Sequence, residues 1–400
     1  MANIQSNKKR VLLLVETSRA FGREVICGIS RYILSHNEWT VFFEDRGLLE
    51  RLPLWINNWH GDGIIARSVD ARVHNLLQAK GIPMVELLGD GKTVFPDVTC
   101  NDQIVGEMAA KHFHERGFLN YAFFSSENCY WAVRRRQAFE ETVREYGCHC
   151  HVFPSAKKVS KGYASPELLK KPIQIITQWL RQLPKPVGLF AATDMYAVYV
   201  LEACQEAGFR VPEDVAVLGA DNDVLLCSIT TPKLSSINLN GYQIGYQASV
   251  ILDQKMSGKK IESPMVLLPP GRIIERQSSD HYTIEDPDVL AALIYIRENA
   301  ASNISVVNVA DYTALSRRTL ERRFLTLLHR TPNDEIVRVR LQLAVSLLLE
   351  TEFSVTSISN KTGFSSPEYF IRVFRRVYRM TPNQFRLISR NKIHHDWSQE

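Results

Sequence analysis

A chain of 400 residues, 45% of them hydrophobic, has room for two or three domains with full cores. Its 48 Lys and Arg against 43 Asp and Glu leave a formal charge of +5, which suits an anionic polymer as partner but does not define one. No apolar run reaches membrane-spanning length, and the seven scattered cysteines fit a reducing compartment better than a disulfide framework, so a cytoplasmic protein is expected.

Lys8-Lys9-Arg10 before Val11-Leu12-Leu13-Leu14-Val15 imitates a secretory signal. The apolar run is too short, Glu16 ends it, and no small-residue cleavage site follows. Residues 1–10 are therefore read as a tail and 11–15 as a first buried strand. Strand-like and helix-like segments then alternate to about residue 274. The spacing predicts a helix at 23–34, with Val25, Ile29, Tyr32 and Ile33 on one side. Strands at 39–43 and 63–66, a helix at 69–80, a strand at 83–88 and a helix at 103–116 follow. A second series runs strand 121–124, helix 132–146, strand 187–191, helix 195–207, strand 215–218, helix 242–256. Alternation of this kind predicts parallel sheets covered by helices, and two series predict two lobes.

Three signals in this region imitate enzyme or metal motifs. Gly61-Asp62-Gly63 precedes its strand, so its amides cannot open a helix at a pyrophosphate. Gly91-Lys92-Thr93 lacks the first P-loop glycine, where Glu86 stands, and Pro96 interrupts the helix that should follow. Cys148-His149-Cys150-His151 is too crowded for one tetrahedral metal site without a distant partner, and is read as an incidental loop. No catalytic set, cofactor or metal is expected.

Several runs carry a resemblance: Trp59 to Ala66, Asn101-Asp102 with Gly106, Ala109, His112 and Gly117, Arg135 before Ala138-Phe139, Thr193-Asp194 with Gly208. It continues through Val211 to Asn222, Pro232 to Ile237, Gly245, and Glu275 to Ser279. This region resembles the ligand-binding module of LacI-type repressors and periplasmic sugar-binding proteins. The resemblance implies an α/β two-lobed periplasmic-binding-protein-like (type I) module with parallel sheets over 11–280, binding a sugar between its lobes and forming a homodimer. It places Arg135, Thr193, Asp194 and Asp221 at the cleft, with Phe21 and Trp131 as stacking candidates. Two alternatives stay open from the residues alone. Arg135 can equally be one of three exposed helix arginines, Arg134-Arg135-Arg136, and Asp221 can cap the next segment. Residues 1–10 are too short for the DNA-binding headpiece that precedes such modules.

Residues 281–287 read as a linker: polar, with Pro287. From Asp286 onward sixteen Lys and Arg, mostly Arg, face twelve Asp and Glu. Two helix-turn-helix signals follow, one over 306–324 and one over 357–376. In each, a short apolar-periodic helix reaches a small residue, Ala314 or Gly363. A Ser-containing turn leads to a helix with Arg outside. Leu320 and Phe324 recur fifty positions on as Phe370 and Phe374, and Thr331-Pro332-Asn333 as Thr381-Pro382-Asn383. Residues 333–350 are expected to be the joining helix, and 391–400 a tail.

Ser316 to Phe324, Arg340-Leu341 with Ala344 and Leu347-Leu348, Gly363 to Phe370, and Phe374-Arg375-Arg376 followed by Thr381 to Arg386 carry a second resemblance, to the AraC family of bacterial regulators. It implies an all-α domain with two helix-turn-helix motifs over 288–390. Phe385 stands where that family usually has Tyr, and Ser359 where it has a small Ala. Helical spacing turns Leu320, Phe324, Phe370 and Phe374 inward, so Arg318, Glu321, Arg322, Glu368, Tyr369 and Arg372 are expected to face bases. Arg317, Arg375 and Arg376 are expected on phosphates, with Ser366 at the second turn also on DNA. This domain order, with Ala20 to Val25, Trp131-Ala132 and Leu268-Pro269-Pro270, resembles bacterial regulators of xylose operons. That implies promoter DNA as partner, D-xylose or a related pentose as effector, and activation through RNA polymerase.

Overall fold

The structure, a computed structural model, describes residues 8–36, 38–44, 54–67, 75–76, 78–89, 95–125, 130–154, 166–259, 261, 265–281, 283–284, 286–328, 330–351, 353–378 and 380–390. Of the expectations above, the tails 1–7 and 391–400, most of helix 69–80 and the run Gly91-Lys92-Thr93 lie outside these residues. The chain divides into two compact units, Met1–His114 with Leu119–His281, and Glu115–Phe118 with Tyr282–Glu400.

The first unit holds two sheets. The elements in order are β1 (Lys9–Leu14), α1 (Ala20–His36), β2 (Trp39–Phe43), β3 (Gly63–Ala66), β4 (Met84–Leu87), β5 (Asp97–Cys100) and α2 (Asp102–His114). They continue as β6 (Tyr121–Phe124), α3 (Tyr130–Glu145), β7 (Cys150–Val152), α4 (Pro166–Gln182), β8 (Val187–Ala191), α5 (Asp194–Ala207) and β9 (Val215–Ala220). The series ends with α6 (Val224–Ile229), β10 (Ser235–Ile237), α7 (Gly241–Met256), β11 (Met265–Leu268) and β12 (Ile273–Ile274). One sheet has the order β11-β5-β4-β3-β1-β2, the other β12-β10-β9-β8-β6-β7. All pairings are parallel except β10 with β12. Every residue of β3, β4, β5, β6, β8 and β9 is buried, as strands covered by helices on both faces must be.

The chain passes between the lobes after β5, before α7 and after β11. The crossings bond to one another: Asn101 N donates to Leu268 O at 2.7 Å, and Asn238 N to Arg272 O at 3.0 Å. Helix α7 returns to the first lobe and packs on α1 and on β3, β4 and β5. The two helices meet backbone to backbone. A Cβ at Gly28 would stand 1.9 Å from the Tyr242 carbonyl oxygen, and one at Gly245 2.0 Å from that of Val25. The short strands β5, β7 and β10 to β12, and helices α4 and α6, are not among the predicted elements. Strands as short as β7, β10 and β12, of two or three residues, carry too little periodicity to read. The run Cys148-His149-Cys150-His151 is not wholly loop: its last two residues enter edge strand β7, with Cys150 buried.

The second unit consists of α8 (Pro287–Asn299), α9 (Val306–Tyr312), α10 (Arg317–Leu328), α11 (Pro332–Glu350), α12 (Val355–Lys361), α13 (Pro367–Tyr378) and α14 (Pro382–Arg390). It has two cores. Val289, Leu293, Val309, Leu320 and Phe324 form one, and Ile358, Phe364, Phe370 and Phe374 the other. Helix α11 serves both, giving Ile336 and Val339 to the first and Val337, Leu341 and Leu348 to the second. Its Arg340 is buried and donates to the carbonyls of Ala300 at 2.9 Å and Ile304 at 2.8 Å. In the stretch expected to be linker, Asp286 caps α8 and Pro287 opens it, while Glu285 lies outside the described residues.

Candidate ligand cleft and nucleic-acid interface

Strands of open parallel sheets present their carboxyl ends to ligands, and the polar residues of the first unit gather at such ends. Arg135 is 2% exposed, so it is not one of an exposed trio. Its Nε donates to Asp102 Oδ1 and its Nη1 to the Ala192 carbonyl, both at 2.7 Å. Its guanidinium carbon lies 4.8 Å from the Trp131 ring centroid. Its neighbours on α3 point elsewhere, Arg134 to Gln103 and Arg136 towards Glu140. Burial opposes the charge of Arg135, but Asp102 and Asp221 overcome it and hold its pKa above the ordinary arginine value. Burial raises the Asp102 pKa, against the pull of Arg135.

Asp221 follows β9 with φ +117°, a region that L residues rarely occupy and that recurs at functional sites. Burial pushes its pKa up to about 6, against the pull of Arg135, Arg19 and Arg67. Two of these arginines come from the first lobe. Asp221 does not cap the next helix: Asp223 does, accepting from Leu225 N at 3.1 Å. Asp223 also receives Arg23 Nη2 of the first lobe at 3.3 Å.

Thr193 and Asp194 are buried and engaged within their own lobe. Thr193 caps α5, accepting from Tyr196 N. Asp194 accepts from Asp223 N at 2.7 Å and from Ser236 Oγ, which in turn accepts from Asn222 N at 2.9 Å. Burial, then the charge of Asp221, pushes Asp194 well above the usual carboxylate range. These two residues brace the loop that carries Asp221, Asn222 and Asp223.

On the first lobe, Glu16 and Arg67 form a buried ion pair at the ends of β1 and β3. Arg67 lies over the Phe21 ring, 5.7 Å from its centroid, so Phe21 and Trp131 each have an arginine on one face. Glu16 Oε2 is buried, and no hydrogen-bond partner reaches it among the described residues. Sequence reasoning missed Glu16 and Arg67. Their signal was position: each is the first residue after a strand, or nearly so, at the carboxyl edge.

In the second unit both helix-turn-helix turns use a left-handed residue, Ala314 at φ +53° and Gly363 at φ +77°. Ser316 Oγ and Ser366 Oγ then accept from Thr319 N and Tyr369 N, each at 3.2 Å. Arg317, Arg318 and Arg322 on α10, and Glu368, Arg372, Arg375 and Arg376 on α13, are exposed. Glu321, Ser366 and Tyr369 are half-buried. Arg317 Nε donates to Glu321 Oε1 at 2.8 Å, and the Arg372 guanidinium lies 5.4 Å from the Tyr369 ring centroid. Glu368, Ile371, Arg372, Arg375 and Arg376 line one concave surface. Arg323 turns the other way, its Nη1 on Asp286 and Asp288.

A two-lobed module with charged groups at its cleft, followed by paired helices with exposed arginines, defines a DNA-binding transcription regulator under small-molecule control, and not an enzyme. Known proteins make the assignment specific. Residues 10–99 match the XylR N-terminal domain, 110–279 the periplasmic binding protein-like domain, and 309–387 a helix-turn-helix domain. The chain is 31% identical over 387 residues to the xylose operon regulatory protein of Haemophilus influenzae, covering 94% of this chain and 98% of that one. It is 32% identical to the xylose operon regulatory protein of Escherichia coli K12, covering 95% and 97%. A solved structure described as the xylose-binding transcription activator xylR matches over 96% of this chain and 99% of that one, with TM-score 0.61 and 30% identity. The chain belongs to the family of xylose operon regulatory proteins.

Proposed function

We propose that this regulator senses D-xylose, or a closely related pentose, in the cytoplasm and activates a pentose-utilisation operon. The observation that carries the reading is that both lobes bring charged groups to the loop of Asp221 to Asp223: Arg23 of the first lobe reaches Asp223 at 3.3 Å, and the buried Arg135, held on Asp102 and the Ala192 carbonyl, and the first-lobe Arg19 and Arg67 all favour the charged form of Asp221. A sugar presents adjacent hydroxyls that both donate and accept. Arg135 and Arg67 supply planar donors, and Asp221 and Glu16 Oε2 supply acceptors, one of them buried and unpaired among the described residues. Contacts from both lobes exist together only in a closed arrangement, so the ligand favours closure. Phe21 and Trp131 offer the ring faces turned away from their arginines. Thr193 and Asp194 serve the site through the Asp221 loop.

On DNA, Arg318, Glu321, Arg322, Glu368, Tyr369 and Arg372 face bases, while Arg317, Ser366, Arg375 and Arg376 hold the backbone. The exposure of the six arginines and of Glu368 supports this. The protein acts as a homodimer. Edge strand β2 and α1 leave Leu34, Phe42 and Phe43 exposed on the first lobe, a surface suited to a second copy. Contact with RNA polymerase follows from the activator reading.

Calorimetry of the full chain against a panel of pentoses and hexoses tests the sensor. D-xylose is expected to give the tightest binding, and Arg135→Ala to abolish the heat. No heat with any sugar would favour the rival reading, a constitutive DNA-binding protein whose module only dimerises.

A further inference from the structure

We infer that Glu115–Phe118 is a working part of the first helix-turn-helix half, held there by Arg330, and that α2 thereby links the cleft to DNA binding. The transmission part rests on the ligand reading above; the clamp itself does not. Arg330 Nη1 donates to the Glu115 carbonyl at 3.1 Å, while its Nε binds Glu335 Oε2 at 2.6 Å. Glu335 is 1% exposed and also holds Arg338 through bonds of 2.9 and 2.7 Å. The neighbouring carbonyl, of Arg116, accepts from Thr283 N at 2.9 Å. Gly117, at φ +80°, brings the backbone so near Ile284 that a Cβ would stand 3.2 Å from its Cγ1. Ile284 belongs to the core of the first half, and Phe118 is fully buried.

The chemistry is that of a helix end. Helix α2 stops at His114, and the carbonyls just beyond have no partner within the helix. A cation is favoured there by the helix dipole, and Arg330 supplies it. The internal repeat supplies the control. Fifty positions after Arg330 stands Met380, and fifty after Glu335 stands Phe385. A helix-turn-helix half therefore folds without this ion pair, and the pair occurs in the half that receives Glu115–Phe118. At its other end α2 begins with Asp102, whose carboxylate holds Arg135. A 13-residue helix spans about 20 Å, so the residue that holds Arg135 and the start of Glu115–Phe118 stand at the two ends of one continuous helix.

The test is Arg330→Met in the full chain, the residue the repeat itself uses. Amide hydrogen exchange at Thr283 is expected to rise about tenfold, as for loss of one charge-assisted hydrogen bond. Exchange unchanged from the parent chain overturns the clamp. For transmission, the ratio of DNA affinities with and without D-xylose is expected to fall towards one in Arg330→Met while sugar affinity stays. A ratio equal to that of the parent overturns it. Asp102→Asn is the ligand-free arm. It should change exchange over residues 283–284 and 330–338 in the parent but not in the Arg330→Met background, and no change in the parent overturns transmission. If the parent gives no heat with D-xylose, the sugar assignment fails while both exchange measurements still decide this proposal.

Discussion

Asp221 and Asp194 stand near one another with opposite tasks, and a sequence reading does not separate them. Both follow strands at the cleft edge, but Asp194 is saturated by Asp223 N and Ser236 Oγ, whereas Asp221 has backbone strain and a pKa of about 6. The difference arises from partners far along the chain, which no local pattern encodes. Arg135 was legible only as one of two alternatives, because burial of one arginine among three depends on Asp102 and on the β8 end. The Asp221 titration has consequences of definite sign. The folded, empty protein binds this proton more tightly than an unfolded chain, whose Asp titrates near 4. Between about pH 4 and 6 this group therefore makes the empty protein less stable as pH rises. Sugar hydroxyls donate to the charged form, so D-xylose affinity is expected to fall as pH drops through about 6, by up to about tenfold per pH unit. Asp221→Asn should flatten that dependence; calorimetry at several pH values with both proteins reads it directly.

At the scale of elements, the fifty-residue repeat made the second unit the most legible part of the chain. Matched apolar positions, matched turns and matched Thr-Pro caps agree at every level, which is how a sequence specifies one local fold. The copies differ where their surroundings differ, and this gives a paired prediction. Ala314 occupies the left-handed region with a Cβ that glycine would lack, so Ala314→Gly is expected to stabilise by about 0.5–1 kcal/mol. Gly363 has the same conformation, but a Cβ there would meet the Ala300 carbonyl oxygen at 2.3 Å, the oxygen that accepts Arg340 Nε. Gly363→Ala must displace that carbonyl and the buried guanidinium with it, and should cost about 3 kcal/mol. Urea unfolding of the two full-length variants should move in opposite directions; movement in the same direction would mean that the turn, and not its packing, sets the cost.

On the scale of the molecule, the alternation of strands and helices announced two lobes, but the membership of Glu115–Phe118 in the DNA-binding unit did not show, because the chain supplies it about 165 residues before the rest. Within that unit the two cores share α11, and Arg340 fastens the helix to the α8 end through two carbonyl bonds. The two helices α10 and α13 thus belong to one compact unit, their cores joined through the continuous 19-residue α11. On the reading proposed above, such a unit is expected to meet two major-groove segments on one face of the duplex, about one helical turn or roughly 34 Å apart. Inserting about five base pairs between the two segments rotates the second to the far side, where α13, tied to α10 through the shared α11, is not expected to follow. Affinity for the altered site should fall to that for a fragment bearing one segment alone. Phosphate contacts are indifferent to sequence, so Arg376→Ala should weaken intact and altered sites alike and lower the salt slope by about one. Arg322→Ala should instead relax preference at one base pair of the intact site, at about 1–3 kcal/mol. Titrations at several salt concentrations separate the two effects, and identical behaviour of the two variants would contradict the division of arginines between bases and phosphates.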